Sequence, residues 1–267
     1  MIGDPTGGPS GPSRPFGANP SFFDLVRGMG LDPSAAASGE GPVSAPHGTT
    51  VLALQFRDGV VMAGDRRAVE GYAIADSKMD KVFPADDHSA VGIAGVAGQA
   101  LELVRLFQTE LEHYEKVEGD ELSLEGKANR LAQMLRAAFP FVLQGLIVVP
   151  IYAGYDLRRG GGRIFRYDVI GGRYEETEYQ ATGSGARDAK GSLKKRWRPG
   201  MGRDEAIQAA VEALLDASEE DTATGGPDPV RGIFPTVHLV SAQGVQEAPE
   251  DEVRAAYQAV LERRSQP

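Results

Sequence analysis

The sequence predicts an α+β fold in which two antiparallel sheets are stacked and covered by helices on both outer faces. Two observations predict it. The elements run in the order strands, two helices, strands, two helices, strands and one helix. The strands are joined as hairpins, and the helices come in groups instead of alternating singly with strands. This grouping favours helices laid on stacked antiparallel sheets over a parallel, doubly wound sheet.

The first predicted strands form a hairpin. The segment 50–56 is typical of a strand, the Asp-Gly pair at 58–59 predicts a turn, and 60–64 predicts the returning strand. The run 89–94 predicts a further buried strand, which ends at Gly95. Order is therefore expected from residue 49 onward.

Helical periodicity and short apolar runs predict the remaining elements. Pro140 is expected to stop the second helix, because proline cannot continue an α-helix. A glycine-rich tip at 160–162 is expected between two of the strands. The helices are predicted at about 98–116, 123–139, about 185–196, 203–218 and around 253–261, and the strands at 146–155, 163–169, 174–181 and 236–240.

Residues 1–48 differ in composition from the rest of the chain. They contain eight of its 17 prolines and ten of its 34 glycines. Such a segment cannot bury enough apolar surface to offset its ordering entropy, so we expect a disordered leader ahead of one domain at 49–267. It lacks the basic start and apolar block of a secretory signal. Residues 21–26 are compatible with a short amphipathic helix that docks on another surface, or with a linker that carries stray aromatics.

Composition excludes several kinds of chemistry and partner. The chain has no cysteine, which excludes a cysteine nucleophile, a zinc–thiolate site and disulfides, and fits a reducing, cytoplasmic location. Its four histidines are scattered singly, so no metal site is expected. The net charge of -10 argues against nucleic acid and anionic membrane surfaces as partners. No apolar stretch is long enough to span a bilayer.

The junction of Gly48 and Thr49 is a candidate for nucleophilic chemistry. A threonine hydroxyl needs a nearby base, and at a chain terminus the residue's own α-amine, with a pKa of about 8, can serve. Cleavage between Gly48 and Thr49 would expose that amine. Because glycine has no Cβ, the chain can bend until the Thr49 hydroxyl reaches the Gly48 carbonyl, form an ester by acyl shift and release the leader with water. The alternative is an ordinary strand start with a hydroxyl cap.

Two charged residues strengthen this hypothesis. Asp65 follows the second predicted strand, and Lys81 lies in the run 78–83 close to the apolar residues Met79, Val82 and Phe83. A lysine beside the freed amine would lower the pKa of that amine by like-charge repulsion, and Asp65 would keep Lys81 charged and oriented. The alternative for each residue is a surface ion pair.

These motifs together resemble the β subunits of actinobacterial 20S proteasomes. The resemblance starts with HGTTVLALQFRDGVVMAGDRRA at 47–68, continues through Lys81 and GIAGVAG at 92–98, and ends with ATGSGA at 181–186 and DTATGGPDPVRGIFPT at 221–236. It covers essentially all of residues 49–250. It implies the N-terminal nucleophile hydrolase fold, an αββα four-layer sandwich of two antiparallel sheets flanked by helices. This agrees with the predicted order of elements.

The resemblance also implies roles for single residues. Thr49 matches the nucleophile, with its freed amine as general base. Asp65 and Lys81 match the charged pair beside it, and Gly95 matches the glycine whose N–H binds the oxyanion. The residues that match those orienting the amine and nearby water are Ser184 and Asp221, with Thr224 at the hydroxyl position of the same loop.

A side-chain pocket is expected from the same resemblance. Its residues are apolar, so cleavage is expected after large apolar residues; packing is the competing interpretation. Val69 stands where relatives usually carry threonine, and Ala186 where they usually carry serine, which affects the expected rate and not the reaction. The expected substrate-binding residues are Ala68, Val69, Met79, Ile93 and Ala97.

The resemblance implies partners and no cofactor. It implies homo-heptameric β rings enclosed by rings of proteasome α subunits, with a ring-shaped ATPase and proteins tagged with a ubiquitin-like modifier further out. Neither a metal nor an organic cofactor is required for the reaction. Two alternatives are a hexameric bacterial peptidase that works with a heat-shock ATPase, and a non-catalytic structural ring subunit. The long leader argues against the first, and the combination of Thr49, Asp65 and Lys81 argues against the second.

Overall fold

The computed structural model describes residues 48–70 and 73–265. The predicted leader lies outside the described residues except for Gly48, and so does its segment 21–26. Within the described ranges, two five-stranded antiparallel sheets are stacked and helices cover both outer faces. The predicted α+β sandwich is confirmed. No helix in these ranges is both long and apolar enough to cross a membrane.

The first sheet contains the strand that follows Thr49. All of its neighbouring strands are antiparallel. Side chains alternate between its faces, as the pleat requires: Leu52 and Leu54 face helices, whereas Val51 and Ala53 face the second sheet. In spatial order its strands are Tyr179–Gly183 (β10), Thr50–Phe56 (β1), Gly59–Gly64 (β2), Thr236–Ser241 (β11) and Gly244–Glu247 (β12).

The second sheet lies against the inner face of the first. Val51 and Met62 of the first sheet pack there against Ile151 and Ile164 of the second. A separate two-stranded hairpin, Ala68–Glu70 (β3) with Ala73–Asp76 (β4), also precedes this sheet in the chain. In spatial order the strands of the second sheet are Val82–Asp86 (β5), Ser89–Gly95 (β6), Val148–Asp156 (β7), Gly161–Tyr167 (β8) and Arg173–Glu176 (β9).

The helices form the two outer layers. The first three, Ala97–Glu118 (α1), Leu124–Ala137 (α2) and the short Phe139–Val142 (α3), follow β6. Buried residues of α1 and α2, such as Phe107 and Leu131, pack on the second sheet. Buried residues of the other helices pack on the first sheet. Those helices are Ala186–Arg196 (α4), Arg203–Glu220 (α5) and Glu250–Ser265 (α6).

Several predicted boundaries are wrong. The single strand predicted at 174–181 is two strands, because the chain bends at 177–178 and crosses from the second sheet, as β9, to the first, as β10. The hairpin tip lies at 157–160 rather than at 160–162, whose last two glycines belong to β8. Pro140 lies inside α3, since α2 already ends at Ala137. The strands β3, β4, β5 and β12 were not predicted.

Candidate active site

Thr49 lies immediately before β1 and is buried, with 6% of its surface exposed. Its Oγ1 donates a hydrogen bond to the carbonyl oxygen of Gly48 at 2.6 Å. The predicted nucleophile therefore lies beside the peptide bond that it is expected to break. The N–H of Thr49 is an amide in this state and occupies the position of the amine that cleavage would free.

Asp65 follows β2, and the pairing of β2 with β1 places it next to Thr50. Its side chain is fully buried. Oδ1 accepts hydrogen bonds from the N–H of Thr50 and from Lys81 Nζ, both at 2.8 Å. Oδ2 accepts from the N–H groups of Arg67 at 2.9 Å and Gly225 at 2.8 Å. Four donors thus satisfy the buried carboxylate, as a buried charge requires.

Lys81 lies just before β5, and only 2% of it is exposed. Besides Asp65, its Nζ donates to the carbonyl of Arg67 at 2.5 Å and to that of Gly48 at 3.3 Å. Burial lowers the pKa of this lysine below its usual value, and the charge of Asp65 opposes the shift. The Gly48 carbonyl oxygen therefore accepts hydrogen bonds from both the Thr49 hydroxyl and the Lys81 ammonium.

Gly95 ends β6 with a backbone conformation that favours glycine. Its φ is +128°, and a Cβ there would lie 2.0 Å from the carbonyl oxygen of Ile147. The next N–H, that of Val96, donates to the same carbonyl at 2.9 Å. Because hydrogen-bonding directions alternate along an antiparallel strand, the N–H of Gly95 points away from β7. Gly95 lines the same cavity as Thr49, so its N–H is available to an oxygen bound there.

Ser184 and Asp221 lie on the other side of Thr49, at two helix ends. Ser184 precedes α4 and Asp221 ends α5. The N–H of Thr49 donates to Ser184 Oγ at 3.4 Å, and Ser184 Oγ donates to Asp221 Oδ2 at 2.5 Å. The N–H of Ser184 in turn donates to the carbonyl of Thr49 at 2.9 Å. The structure thus brings the other five candidate catalytic residues together around Thr49.

The five predicted substrate-binding residues surround one cavity beside Thr49. The cavity also touches Lys81 and Gly95, and apart from Thr49 and the lysine its side chains are apolar. A larger apolar groove between α1, α2 and α3 contains none of the candidate residues; the cavity is the better candidate because the nucleophile lines it. Its predicted members are Ala68, Val69, Met79, Ile93 and Ala97.

Three residues of the site were not assigned a contact from the sequence. The Arg67 carbonyl binds Lys81, and the hydroxyls of Thr50 and Thr224 lie 2.6 Å apart behind Asp221. Backbone carbonyls leave no trace in residue identity, so the Arg67 contact has no sequence signal. The sequence places each threonine near a predicted site residue, since Thr50 follows Thr49 and Thr224 lies three residues after Asp221, but it does not show that the two touch.

Comparison with known proteins places the chain in a family. Residues 45–230 match the family described as Proteasome subunit. A protein named Proteasome subunit beta from Acidimicrobium ferrooxidans is 56% identical over 232 residues, which cover 85% of each chain. A protein of the same name from Frankia casuarinae is 52% identical over 248 residues, which cover 92% of this chain and 90% of that one. The chain therefore belongs to the proteasome subunit family, and within it to the β type.

Proposed function

We propose that this chain is a threonine endopeptidase of the 20S proteasome core, activated by cleavage between Gly48 and Thr49. One observation carries the proposal: the Gly48 carbonyl oxygen lies 2.6 Å from Thr49 Oγ1 and 3.3 Å from Lys81 Nζ. This arrangement favours attack of the Thr49 hydroxyl on the Gly48 carbonyl. The buried cation of Lys81 would stabilise the negative charge that develops on the carbonyl oxygen during the attack.

Activation is an acyl shift within the chain. Thr49 Oγ1 forms a bond to the Gly48 carbonyl carbon, the bond from that carbon to Thr49 N breaks, and the hydroxyl proton ends on the departing nitrogen. Water then hydrolyses the ester, releasing the leader as a carboxylate and restoring the hydroxyl. The product has the free amine that the next reactions use as their base.

Turnover on a peptide repeats this chemistry with the amine as proton shuttle. The amine accepts the Thr49 hydroxyl proton as Oγ1 attacks the peptide carbonyl, and gives it to the leaving nitrogen. The N–H of Gly95 binds the oxyanion, a contact typically worth about 3 kcal/mol of barrier lowering. Lys81 lowers the pKa of the amine, and Ser184 with Asp221 orients it. Water deacylates Thr49.

The apolar lining of the cavity beside Thr49 supports cleavage after apolar residues. Proteins that carry the name Proteasome subunit beta support assembly of this chain with α subunits into a proteasome core. Within that assembly we propose homo-heptameric β rings, which enclose the site, and a cytoplasmic location. Delivery of tagged proteins by an ATPase ring would act through the α ring.

The test uses the full chain co-expressed with α subunits, as wild type, Thr49→Ala and Thr49→Ser. Mass spectrometry of assembled particles gives the N-terminus of each β chain, and fluorogenic peptides give the activity. We expect a wild-type chain that starts at Thr49 and cleaves after large apolar residues, and a Thr49→Ala chain that keeps its leader and is inactive. Thr49→Ser keeps a nucleophile and serves as the matched control.

Three results would contradict the proposal. Peptide hydrolysis by Thr49→Ala particles at the wild-type rate would exclude Thr49 as nucleophile. A wild-type chain with an intact leader in assembled particles would favour a structural ring subunit. A preference for basic or acidic residues before the scissile bond would exclude the apolar cavity as the substrate pocket, and sixfold rings in electron micrographs would exclude the heptamer.

A further inference from the structure

Thr50, the residue after the proposed nucleophile, has a hydroxyl that the proposed reaction does not use. Its side chain is fully buried. The N–H of Gly185 donates to Thr50 Oγ1 at 3.0 Å, and the Oγ1 atoms of Thr50 and Thr224 are 2.6 Å apart. The hydroxyl therefore joins the turn before α4 to the loop after α5.

The direction of these hydrogen bonds follows from counting protons. Thr224 Oγ1 lies 2.6 Å from Asp221 Oδ2, a carboxylate oxygen that only accepts, so the single proton of Thr224 is donated there. Between the two threonines, Thr224 then accepts and Thr50 donates. These three hydrogen bonds all point in the same direction, from the Gly185 N–H through Thr50 and Thr224 to Asp221. Hydrogen bonds aligned in this way polarise one another.

Asp221 connects this series of hydrogen bonds, through Ser184, to the nitrogen of Thr49, which is the proposed base. Its Oδ2 also accepts from Ser184 Oγ at 2.5 Å. With its proton directed to Asp221, Ser184 has only lone pairs to offer the nitrogen of Thr49, 3.4 Å away. The orientation of Ser184, and through it of the Thr49 nitrogen, therefore depends on how firmly Asp221 is held.

The main chain of Thr50 is held by the other charged cluster. Its N–H donates to Asp65 Oδ1 at 2.8 Å, and the same oxygen accepts from Lys81 Nζ. Thr50 thus bonds to the Asp65–Lys81 pair through its backbone and to the Asp221 network through its side chain. Once the leader is removed, Thr50 is also the one residue covalently bonded to Thr49.

We propose that Thr50 is a positioning residue, whose hydroxyl fixes the Thr224–Asp221–Ser184 network so that the freed amine of Thr49 points at its own hydroxyl. This inference rests on the proposed peptidase function and deepens it. Removing the hydroxyl leaves the buried N–H of Gly185 without its acceptor and Thr224 without its donor. The loop that carries Asp221 then loses its tie to β1.

The close approach of Gly185 offers a second way to disturb this contact. A Cβ at position 185 would lie 2.6 Å from Thr50 Oγ1 and 2.8 Å from Thr224 Oγ1. Gly185→Ala therefore displaces both hydroxyls without removing either, and its Cβ also comes within 3.0 Å of Ala217 Cβ.

The experiment measures kcat and KM against pH for assembled particles made from the full chain. The variants are Thr50→Val, Thr50→Ser and Gly185→Ala, and mass spectrometry confirms that each has lost its leader. Thr182→Val is the matched control: it removes a hydroxyl from the neighbouring strand β10, where it bonds to the carbonyl of Val149 at 3.4 Å, outside this network.

We expect Thr50→Val to lower kcat about tenfold with KM changed less than about twofold, because an unsatisfied buried group and a misplaced base act on the chemical step. The acid limb of the kcat profile should move to lower pH, since a loosened Asp221 stabilises the ammonium less and lowers the pKa of the amine. Thr50→Ser should restore kcat to within about threefold of wild type, and Thr182→Val should leave it unchanged.

Other outcomes overturn the inference. A wild-type kcat and pH profile in Thr50→Val would do so, as would Thr50→Ser being as impaired as Thr50→Val, or Thr182→Val losing as much activity. If Thr50→Val particles do not assemble, the Gly185→Ala variant provides the test. A normal kcat and a normal pH profile in Gly185→Ala would exclude the positioning role of Thr50. Inactivity of the wild type itself contradicts the peptidase function, and with it this inference.

Discussion

Gly48 is held in a gap that admits no side chain. A Cβ at this position would lie 2.3 Å from Ala223 Cβ and 2.8 Å from Val69 Cγ2. Glycine is therefore required before Thr49 by the packing around it. The packing partners belong to the loop after α5 and to β3, so two separate segments close around the bond that is expected to break.

Gly48→Ala is expected to slow leader removal by about tenfold or more, because overpacking of this severity displaces the carbonyl from Thr49 Oγ1. Mass spectrometry of the precursor over time measures the rate. Adding Ala223→Gly to the Gly48→Ala chain removes the closest contact and should restore part of the lost processing rate. Gly191→Ala, where a Cβ meets nothing within 4 Å, is the matched control; equal slowing in that variant would contradict the steric explanation.

Lys81→Met is expected to abolish leader removal and peptidase activity, since no cation then faces the Gly48 carbonyl. It also leaves Asp65 buried without its ionic partner, which typically costs about 3 kcal/mol of unfolding free energy. Urea denaturation of the subunit and mass spectrometry measure the two effects.

The matched control for that variant is Lys116→Met, which removes the lysine of an exposed ion pair with Glu112 on α1. Exposed pairs contribute little, so the urea midpoint should stay unchanged. Normal processing in the Lys81→Met chain would exclude a role for the cation in the self-cleavage step.

At the scale of elements, β11 carries a buried histidine between the two sheets. His238 is opposite Met62 of β2 and Glu247 of β12. Burial lowers the pKa of His238 below its usual 6.5, and the charges of Glu247 and Asp80 oppose the shift. Between the lowered pKa and 6.5 the unfolded chain binds more protons than the folded chain, so stability falls as the pH drops through this window.

His238→Gln removes this titration. The urea midpoint of the wild type should therefore fall relative to that of the variant as the pH drops below about 6.5 and through the lowered pKa. Val240→Ala on the same strand removes buried apolar surface without a titrating group, so its offset from the wild type should stay constant with pH. A constant offset for His238→Gln would contradict the buried-histidine explanation.

The sequence predicts elements with strong local signals and misses those that depend on distant partners. Helices α1 and α5 are long and periodic, and both were predicted within a few residues. The division of 174–181 into β9 and β10 was not predictable, because the bend at 177–178 is Thr-Glu, which carries no turn signal, and only the two sheets decide which part pairs where. Short edge strands such as β12 lack a local signal for the same reason.

In the candidate site, too, some features were predictable from the sequence and others were not. Thr49, Asp65 and Lys81 were predicted from residue type and neighbours in the chain, and the structure brings them together. The Thr50–Thr224 contact joins residues 174 positions apart, and the Arg67 carbonyl that binds Lys81 is a backbone group. Contacts of these two kinds arise from the fold and cannot be deduced from a single sequence.

At the scale of the whole molecule, three apolar layers hold four layers of structure together. The middle layer, between the sheets, is the one on which Thr49 depends, because it fixes β1 against β6 and β7. Ile151→Ala in that layer should lower the unfolding free energy by about 3 kcal/mol, as deletion of buried methyl groups typically does. Urea denaturation measures it, and Val230→Ala, at a side chain 96% exposed, should leave the midpoint unchanged; equal effects would contradict the core assignment.

The Gly48 carbonyl oxygen contacts both Thr49 Oγ1 and Lys81 Nζ. This arrangement has a consequence for when peptidase activity would first appear. With Thr49 as the proposed nucleophile, the last peptide group of the leader occupies the space that a later substrate would enter, so the uncleaved chain would be blocked by its own backbone. On the proposed mechanism its release happens inside one folded subunit, and the half-life of the precursor would not change on dilution of assembled particles. Activity would then first appear when the cleft is complete, without help from a second protease.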